Sequence, residues 1–274
     1  MGRKRNPSIS NVWGWIKKGK GQGTNTNYQP FFHVRDVPSR GRSSMIFGLK
    51  TGRIHHYLSN MEYSCHILAE YAYSVTDIRE QYALLPWPET QMIADGLGIR
   101  HPIYRGTKTP IVMTSDLVLS YGKEKTAVLC VKPYSETDPM NPHAKRVMEK
   151  LLIEKMYWDR RGIQWQLITE REIPTTRVQN LDQLRMGMAT AEHAFVSSYM
   201  DFFLSAFHSV WTRESSLLCI LMQVSTKINL AKEQCYSLFA KAVWSRLLDV
   251  DLDVGLMHHD QPIPLITRSG DRQC

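Results

Sequence analysis

An acid and a lysine stand inside two apolar segments of the chain. Asp116 lies within "MTSDLVL" (113–119), and Lys132 ends "TAVLCVK" (126–132). Two apolar segments of this length, joined through "GKEK", predict the strands of a β-hairpin. A carboxylate buried in such a hairpin needs a cation, hydrogen bonds or a metal ion. We therefore expect Asp116 and Lys132 to form a buried ion pair or to take part in a reaction.

A second acid, Glu62, stands one turn into a predicted helix, "SNMEYSCHILAEYAYS" (59–74), which Ser59 or Asn60 would cap. A helix acid, a strand acid and a strand lysine are what a metal-dependent phosphodiesterase needs. Carboxylates hold Mg²⁺, which prefers oxygen ligands, and the metal polarises the phosphate and activates water. The ammonium group orients that water or stabilises the developing charge.

The spacing of these groups resembles the PD-(D/E)xK signature of restriction endonucleases, written here as Ser115-Asp116 followed by Cys130-Val131-Lys132. Cys130 occupies the place of the second acid, and a thiol is a poor ligand for Mg²⁺. The carbonyl oxygen of Val131 could still coordinate the ion. The alternative is a purely structural Asp–Lys pair across the hairpin.

The positive charge of the chain is concentrated at its N-terminus. Residues 1–60 hold 11 Lys and Arg and one acid, whereas the remaining 214 residues hold 23 basic and 25 acidic side chains. Aromatic residues interleave with these cations, which is typical of a surface that contacts nucleic-acid phosphates. A solvated basic arm is the alternative. The candidate DNA contacts are Lys17, Lys18, Lys20, Arg40, Arg42, Arg53, His55 and His56. For the two histidines, which would point to opposite faces of a strand, a structural or partly buried role is the alternative.

Composition and length limit the class of protein. The chain has 274 residues, 43% of them hydrophobic, which is an ordinary globular composition and enough for two domains. Its five scattered cysteines lack CxxC spacing, which disfavours a disulfide framework and a zinc site. It has neither an apolar stretch of about 18 residues nor a secretory signal. We expect a protein of a reducing cytoplasm with no membrane partner.

The order of predicted elements indicates two domains. Residues 45–170 alternate strands and helices, including an amphipathic helix over 142–162, and predict a mixed α/β domain. The chain from 171 to 274 is mainly helical, and two helices followed by a hairpin-like ending resemble a winged helix. Its acidic "SRLLDVDLDVG" makes protein binding as plausible there as DNA contact. We expect a catalytic domain over 1–170 and a partner- or DNA-binding domain over 171–274.

A series of longer motifs resembles the TnsA-type transposon endonucleases, subunits that cut the 5′ ends of certain heteromeric bacterial transposons. The motifs run in order over about residues 15–170. They are "GKGQG" (19–23), "VPSRGRS" (37–43), "KTGRIHHYLSNME" (50–62), "DIREQYALLP" (77–86), "GIRHPIYRG" (98–106), "MTSDLVL" (113–119), "VKP" (131–133) and "LLIEKMYW" (151–158).

The resemblance implies a restriction-endonuclease-like mixed sheet flanked by helices, with a C-terminal winged-helix-like domain. It makes Glu62 and Asp116 the metal-binding carboxylates and Lys132 the catalytic lysine. The family tends to have glutamine at the Cys130 position, so a missing second acid is usual in it. Cysteine departs further from an oxygen ligand, which bears on whether Cys130 binds the metal and on which metals the site accepts. Glu154 matches a family acid and could support the site, although a solvated helix glutamate is the alternative.

The resemblance also implies cofactors and partners. The cofactor would be Mg²⁺, with Mn²⁺ tolerated, and the substrate would be transposon-end double-stranded DNA. A DDE-type transposase (TnsB) would cut the 3′ ends, and an AAA+ ATPase (TnsC) would regulate target choice and dock on residues 171–274. The alternatives are a catalytically weakened DNA-binding subunit of the same complex and a stand-alone restriction- or junction-type nuclease.

Overall fold

The computed structural model describes residues 7–36, 42–122, 125–188 and 192–266. The chain forms two compact units, Met1–Ile173 and Pro174–Cys274. We call them unit 1 and unit 2. Within the described residues, no helix is both long and apolar enough to span a membrane.

Unit 1 contains a mixed four-stranded sheet and a separate two-stranded hairpin. The strands are β1 Ser44–Phe47, β2 Ile54–Tyr57, β3 Val75–Ala83, β4 Thr114–Tyr121, β5 Lys125–Val131 and β6 Gln164–Ile168. β1 and β2 form the hairpin, and the sheet has the order β3-β4-β5-β6. β3, β4 and β5 are antiparallel, whereas β6 runs parallel to β5 and therefore needs a crossover connection.

Helices pack against this sheet and supply the crossover. Those described in unit 1 are α1 Ile9–Lys17, α2 Asn60–Tyr71, α3 Trp87–Gly96, α4 Tyr134–Thr137 and α5 Ala144–Asp159. α5 leads from β5 to β6, and its Ile153 and Trp158 pack with Val118 and Val128 of the sheet and Ile93 of α3. The prediction of a mixed α/β domain is confirmed. Helix α3 was not predicted.

The N-terminal segment around Tyr28 and Phe31 covers the outer edge of β3. The Tyr28 hydroxyl donates to the carbonyl of Glu80 (2.8 Å), and the Phe31 N–H donates to the carbonyl of Gln81 (3.1 Å). An uncovered edge strand would present unpaired backbone groups, so these contacts both satisfy and protect the edge.

A glycine allows this segment to lie close to the strand. Gly21 has φ of +73°, and a Cβ at this position would fall 2.3 Å from the Cβ of Ala83. Any larger residue would push the segment away from β3 and would also disfavour the left-handed backbone.

A buried ion-pair network joins the β1–β2 hairpin to β3. Glu80 is fully buried and accepts from both Nη atoms of Arg53 (2.8 and 2.6 Å) and from Nδ1 of His55 (2.7 Å). The backbone N–H of His56 donates to the same carboxylate at 3.1 Å. Burial alone would raise the pKa of Glu80, but the hydrogen bonds from Arg53 and His55 lower that pKa to about 2.

Unit 2 is helical. Its described helices are α6 Thr175–Met188, α7 His193–Val210, α8 Leu217–Ile228 and α9 Lys232–Trp244. After α9 the chain makes two isolated antiparallel bridges, Ser216 with Pro262 and Val250 with Leu265, and no longer strand is present in the described part of this unit. The helices agree with the predicted helical character, whereas a winged helix remains a prediction. Helix α6 was not predicted.

We expect Glu80→Gln to destabilise unit 1 by about 3 kcal/mol at pH 7, because it leaves the buried Arg53 without its counter-ion. The wild-type carboxylate has a folded pKa of about 2, below its ordinary 4.5, so its stabilisation is present above pH 4.5 and lost as the pH falls towards 2. Urea unfolding at a series of pH values measures both effects.

The control is Asp159→Asn, which breaks the exposed Lys155–Asp159 pair on α5 and should cost less than about 1 kcal/mol. If Glu80→Gln and the wild type lose stability in parallel between pH 5 and 2, the Glu80 carboxylate does not make this contribution.

Candidate active site

In the β4–β5 hairpin, the side chain of Asp116 on β4 contacts residues at the end of β5. Asp116 is 9% exposed, and its Oδ2 accepts from the Val131 N–H (2.7 Å) and from Nζ of Lys132 (2.8 Å). The Cys130 thiol lies 3.6 Å from the same oxygen. The expected juxtaposition of Asp116 and Lys132 is therefore present.

Lys132 directly follows the last residue of β5, and its partly exposed side chain contacts the buried Asp116 carboxylate. Its Nζ also donates to the Val131 carbonyl at 2.9 Å, and its side chain is 30% exposed. Burial alone would lower the pKa of Lys132, but the negative charge of Asp116 raises that pKa above its ordinary value. The side chain is therefore a fixed cation at neutral pH and not a general base.

Glu62 reaches the same region from the first turn of α2. The Ser59 hydroxyl caps this helix by accepting from the Glu62 N–H (3.2 Å), and it donates to Glu62 Oε1 (2.8 Å). The other oxygen, Oε2, accepts from the N–H of Leu58 and from Nε2 of Gln81, each at 3.1 Å. Three donors to its two oxygens leave the carboxylate little rotational freedom.

Burial dominates the electrostatics of Glu62. The residue is 6% exposed, and burial together with the charge of Asp116 raises its pKa to about 7, against the opposing hydrogen bonds from Leu58 and Ser59. A raised pKa of this origin means that the ionised carboxylate lacks a full complement of positive charge.

Glu154 is buried and is not the solvated helix glutamate that the sequence left open. It is 4% exposed on α5, and its Oε1 accepts from Nε1 of Trp165 at 3.1 Å. Burial, followed by the charge of Asp116, raises its pKa to about 7 despite hydrogen bonds with Ser115 and Trp165. Glu154 therefore adds a third acid to the surroundings of Lys132.

The oxygen donors at this site fit a hard divalent cation. The carboxylates of Glu62 and Asp116 and the carbonyl of Val131 are the ligand types that Mg²⁺ takes, with water filling other positions. Across the described ranges, no three His, Cys, Asp or Glu side chains cluster as a metal site. A cation here would thus depend on two carboxylates and a backbone oxygen.

Cys130 does not strengthen this donor set. Its side chain is buried, and burial, followed by the nearby Glu154, raises the pKa of its thiol well above the ordinary value. The neutral thiol that results is a weak ligand for Mg²⁺. The doubt over Cys130 as a metal ligand therefore has a physical basis.

Some of the candidate DNA contacts are exposed side chains, and others are buried. Lys17, Lys18 and Arg42 are exposed, and Lys20 is partly exposed beside Asp36 at 3.6 Å. These side chains can reach a phosphate. Arg40 lies outside the described residues.

Two of the predicted contacts need correction. Arg53 and His55 are buried against Glu80, so a DNA phosphate cannot reach them in this conformation. The alternation along β2 places His56 on the opposite face, half-buried, where burial and then His33 lower its pKa. At neutral pH His56 would meet a phosphate as a neutral hydrogen-bond donor.

Sequence patterns did not identify Gln81 or Trp165 as parts of the site, and they named Ser115 in the signature without giving it a role. Gln81 contacts Glu62, while Ser115 and Trp165 contact Glu154. Gln81 stands in "DIREQYALLP", but a single glutamine in a strand carries no local signal of this contact. Ser59 was predicted as a cap, and its second bond to the Glu62 carboxylate follows from that position.

We expect Glu62→Gln to stabilise the metal-free protein at pH 8 by up to about 3 kcal/mol. The folded pKa of about 7 lies above the ordinary 4.5, so the stabilisation from protonated Glu62 is present below pH 4.5 and lost as the pH rises through 7. Unfolding in chelator-containing buffer from pH 5 to 8 measures the difference.

The matched control is Glu233→Gln, at a 79% exposed side chain on α9, which should leave the pH dependence unchanged. A constant difference between Glu62→Gln and the wild type over this pH range would contradict the raised pKa.

Comparison with known proteins shows what this part of the chain is similar to. A model of the TnsA-like endonuclease N-terminal domain matches residues 73–170, which include Asp116, Lys132 and Glu154. The transposition protein TnsA of transposon Tn7 from Escherichia coli is 39% identical over 171 residues, which are 62% of this chain and 60% of that protein. The match thus spans less than two thirds of the relative. Together these findings show that residues 73–170 match a TnsA-like endonuclease N-terminal domain, which confirms the family resemblance of the sequence motifs.

Proposed function

We propose that this protein is the metal-dependent DNA endonuclease subunit of a heteromeric transposase, hydrolysing phosphodiesters at the 5′ ends of a bacterial transposon. The convergence of Glu62, Asp116 and Lys132 carries this proposal. Two buried carboxylates and a fixed ammonium group are a chemically sufficient set for this reaction. The family of the domain and the name of the Tn7 relative support the substrate class.

Each group has a defined task in this reaction. Glu62, Asp116 and the Val131 carbonyl would hold Mg²⁺ or Mn²⁺, which when bound supplies phosphate polarisation and an activated water. Lys132 remains protonated and is held 2.8 Å from the Asp116 carboxylate, so it meets negative charge that develops on the scissile phosphate. Glu154 and Ser115 support the strands behind these groups.

The exposed cations of the N-terminal segment would hold the DNA. Lys17, Lys18, Lys20 and Arg42 provide charge that binds phosphates through counter-ion release. Arg40, in the same "VPSRGRS" motif, is proposed as a further contact, and His56 as a hydrogen-bond donor. Contacts of this kind position a duplex without reading its sequence.

The proposed partners are a DDE-type transposase (TnsB), which would cut the 3′ ends, and an AAA+ ATPase (TnsC) that would dock on unit 2. Unit 2 exposes aromatic side chains on one face of α7, with Phe202 at 66% and Tyr199 at 36%. Exposed aromatic residues are frequent anchors of protein interfaces. This face supports a protein-docking role for unit 2.

A catalytically weakened DNA-binding subunit is the second candidate, and Cys130 is the observation that favours it. A neutral buried thiol at a position next to the proposed metal withholds an oxygen ligand. The weakened-subunit proposal expects DNA binding without strand cleavage.

The test is strand-specific cleavage of transposon-end DNA in the presence of the cognate transposase. Asp116→Ala and Lys132→Ala should each lower 5′-strand nicking at least about 100-fold, since each removes a group from the reacting centre. Nicking of the 3′ strand should persist in both variants.

Asp159→Ala, at an exposed acid on α5, is the matched control and should cut both strands. Unchanged 5′ nicking by Asp116→Ala would contradict the proposed site. Wild-type protein that binds the ends without 5′ nicking, in either Mg²⁺ or Mn²⁺, would favour the weakened subunit, and Cys130→Gln should then restore cleavage.

A further inference from the structure

Gln81 occupies an unusual place between the two proposed metal-binding carboxylates. Its neighbours Glu80 and Tyr82 pair with Leu117 and Ser115 of β4, so Gln81 lies across from Asp116 in the sheet. From this position its side chain reaches Glu62 on α2, which packs beside both strands. A single residue thus stands next to one proposed ligand in the sheet and bonds to the other.

The backbone of Gln81 is strained inside a strand. Its φ of +48° lies in the left-handed region, which non-glycine residues rarely adopt. Such a conformation persists where the surroundings hold it in place, and it concentrates at functional sites. Here the Phe31 N–H holds the Gln81 carbonyl at 3.1 Å on the outer edge of β3.

Both ends of the side-chain amide are occupied. Gln81 is 3% exposed, and its Nε2 donates to Glu62 Oε2 at 3.1 Å. Its Oε1 accepts from the Thr114 hydroxyl at 3.5 Å, a long contact. Since Glu62 offers an acceptor and Thr114 offers a donor, these partners fix which way the amide points.

The chemistry of glutamine suits this place better than that of its isostere glutamate. Burial and the charge of Asp116 already disfavour ionised Glu62. A neutral amide donates a hydrogen bond to the carboxylate without adding a further negative charge. A glutamate at position 81 would place a third carboxylate beside Glu62 and Asp116.

We propose that Gln81 is a positioning residue for the metal site, holding the Glu62 carboxylate in the orientation in which it binds the cation together with Asp116. The left-handed backbone of Gln81 directs its side-chain amide towards Glu62, and the hydrogen bond from Nε2 holds the Glu62 carboxylate in that orientation. This inference rests on the proposed function, because it assumes that Glu62 and Asp116 hold a divalent cation.

The test is Mn²⁺ binding to the full-length protein without DNA, measured by isothermal titration calorimetry. Gln81→Leu, which keeps the bulk but removes the amide, should weaken Mn²⁺ binding 10- to 100-fold, as the loss of outer hydrogen bonds does in other metal sites. Gln164→Leu, at an exposed glutamine of β6, is the matched control and should bind Mn²⁺ like the wild type.

Gln81→Gly separates the side chain from the backbone. Glycine adopts φ of +48° without strain, so this variant keeps the strand path even if Gln81→Leu fails to fold. We expect Gln81→Gly to lose Mn²⁺ affinity by the same 10- to 100-fold. Wild-type Mn²⁺ affinity in folded Gln81→Gly would overturn the inference.

Glu62→Ala and Asp116→Ala in the same titration distinguish a failure of the positioning role of Gln81 from a failure of the metal site. If both abolish Mn²⁺ binding while Gln81→Gly binds normally, only the positioning role is wrong. If neither changes Mn²⁺ affinity, the metal site itself is wrong, and the proposed function fails with it.

Discussion

An excess of buried negative charge is the constraint on which the site depends. Glu62, Asp116 and Glu154 lie in a region where they influence one another electrostatically, and Lys132 is the cation that acts on all three. Burial, followed by the charge of Asp116, raises the pKa values of Glu62 and Glu154 to about 7. A divalent cation bound among these carboxylates would favour their ionised forms.

A buried acid elsewhere in unit 1, Glu80, shows that this excess of negative charge is local to the candidate site. Glu80, on the same strand as Gln81, is buried more completely than Glu62, yet its pKa falls to about 2 because Arg53 and His55 surround it. Full compensation makes Glu80 a structural acid, whereas the partial compensation of Glu62 supports the proposal that it binds a cation. The Arg53–Glu80 pair fixes the hairpin on β3, and β3 presents Gln81 to Glu62.

Local patterns were sufficient to predict much of this site. Apolar runs around a turn predict the β4–β5 hairpin, and hairpin pairing then brings Asp116 to Lys132. A serine before an apolar-periodic segment predicts the start of α2, and with it the place of Glu62 in the first turn. These features depend on residues close in sequence or on one strand pairing.

Other features depend on distant contacts and could not be predicted in this way. Arg53 looks like a surface cation within a basic segment, and its burial depends on Glu80, 27 residues away. Whether Glu154 is solvated depends on packing against β6. The left-handed backbone of Gln81 depends on its tertiary surroundings, since glutamine has no preference for it.

The most direct test of the central claim is the anomalous diffraction of a crystal grown with Mn²⁺. The excess of negative charge predicts one strong anomalous peak at about 2 Å from oxygens of Glu62 and Asp116 and from the Val131 carbonyl. The peak should vanish in a Glu62→Gln, Asp116→Asn double variant that keeps the same fold. An ordered site in the wild-type crystal without such a peak at saturating Mn²⁺, or a peak that persists in the double variant, would contradict the account.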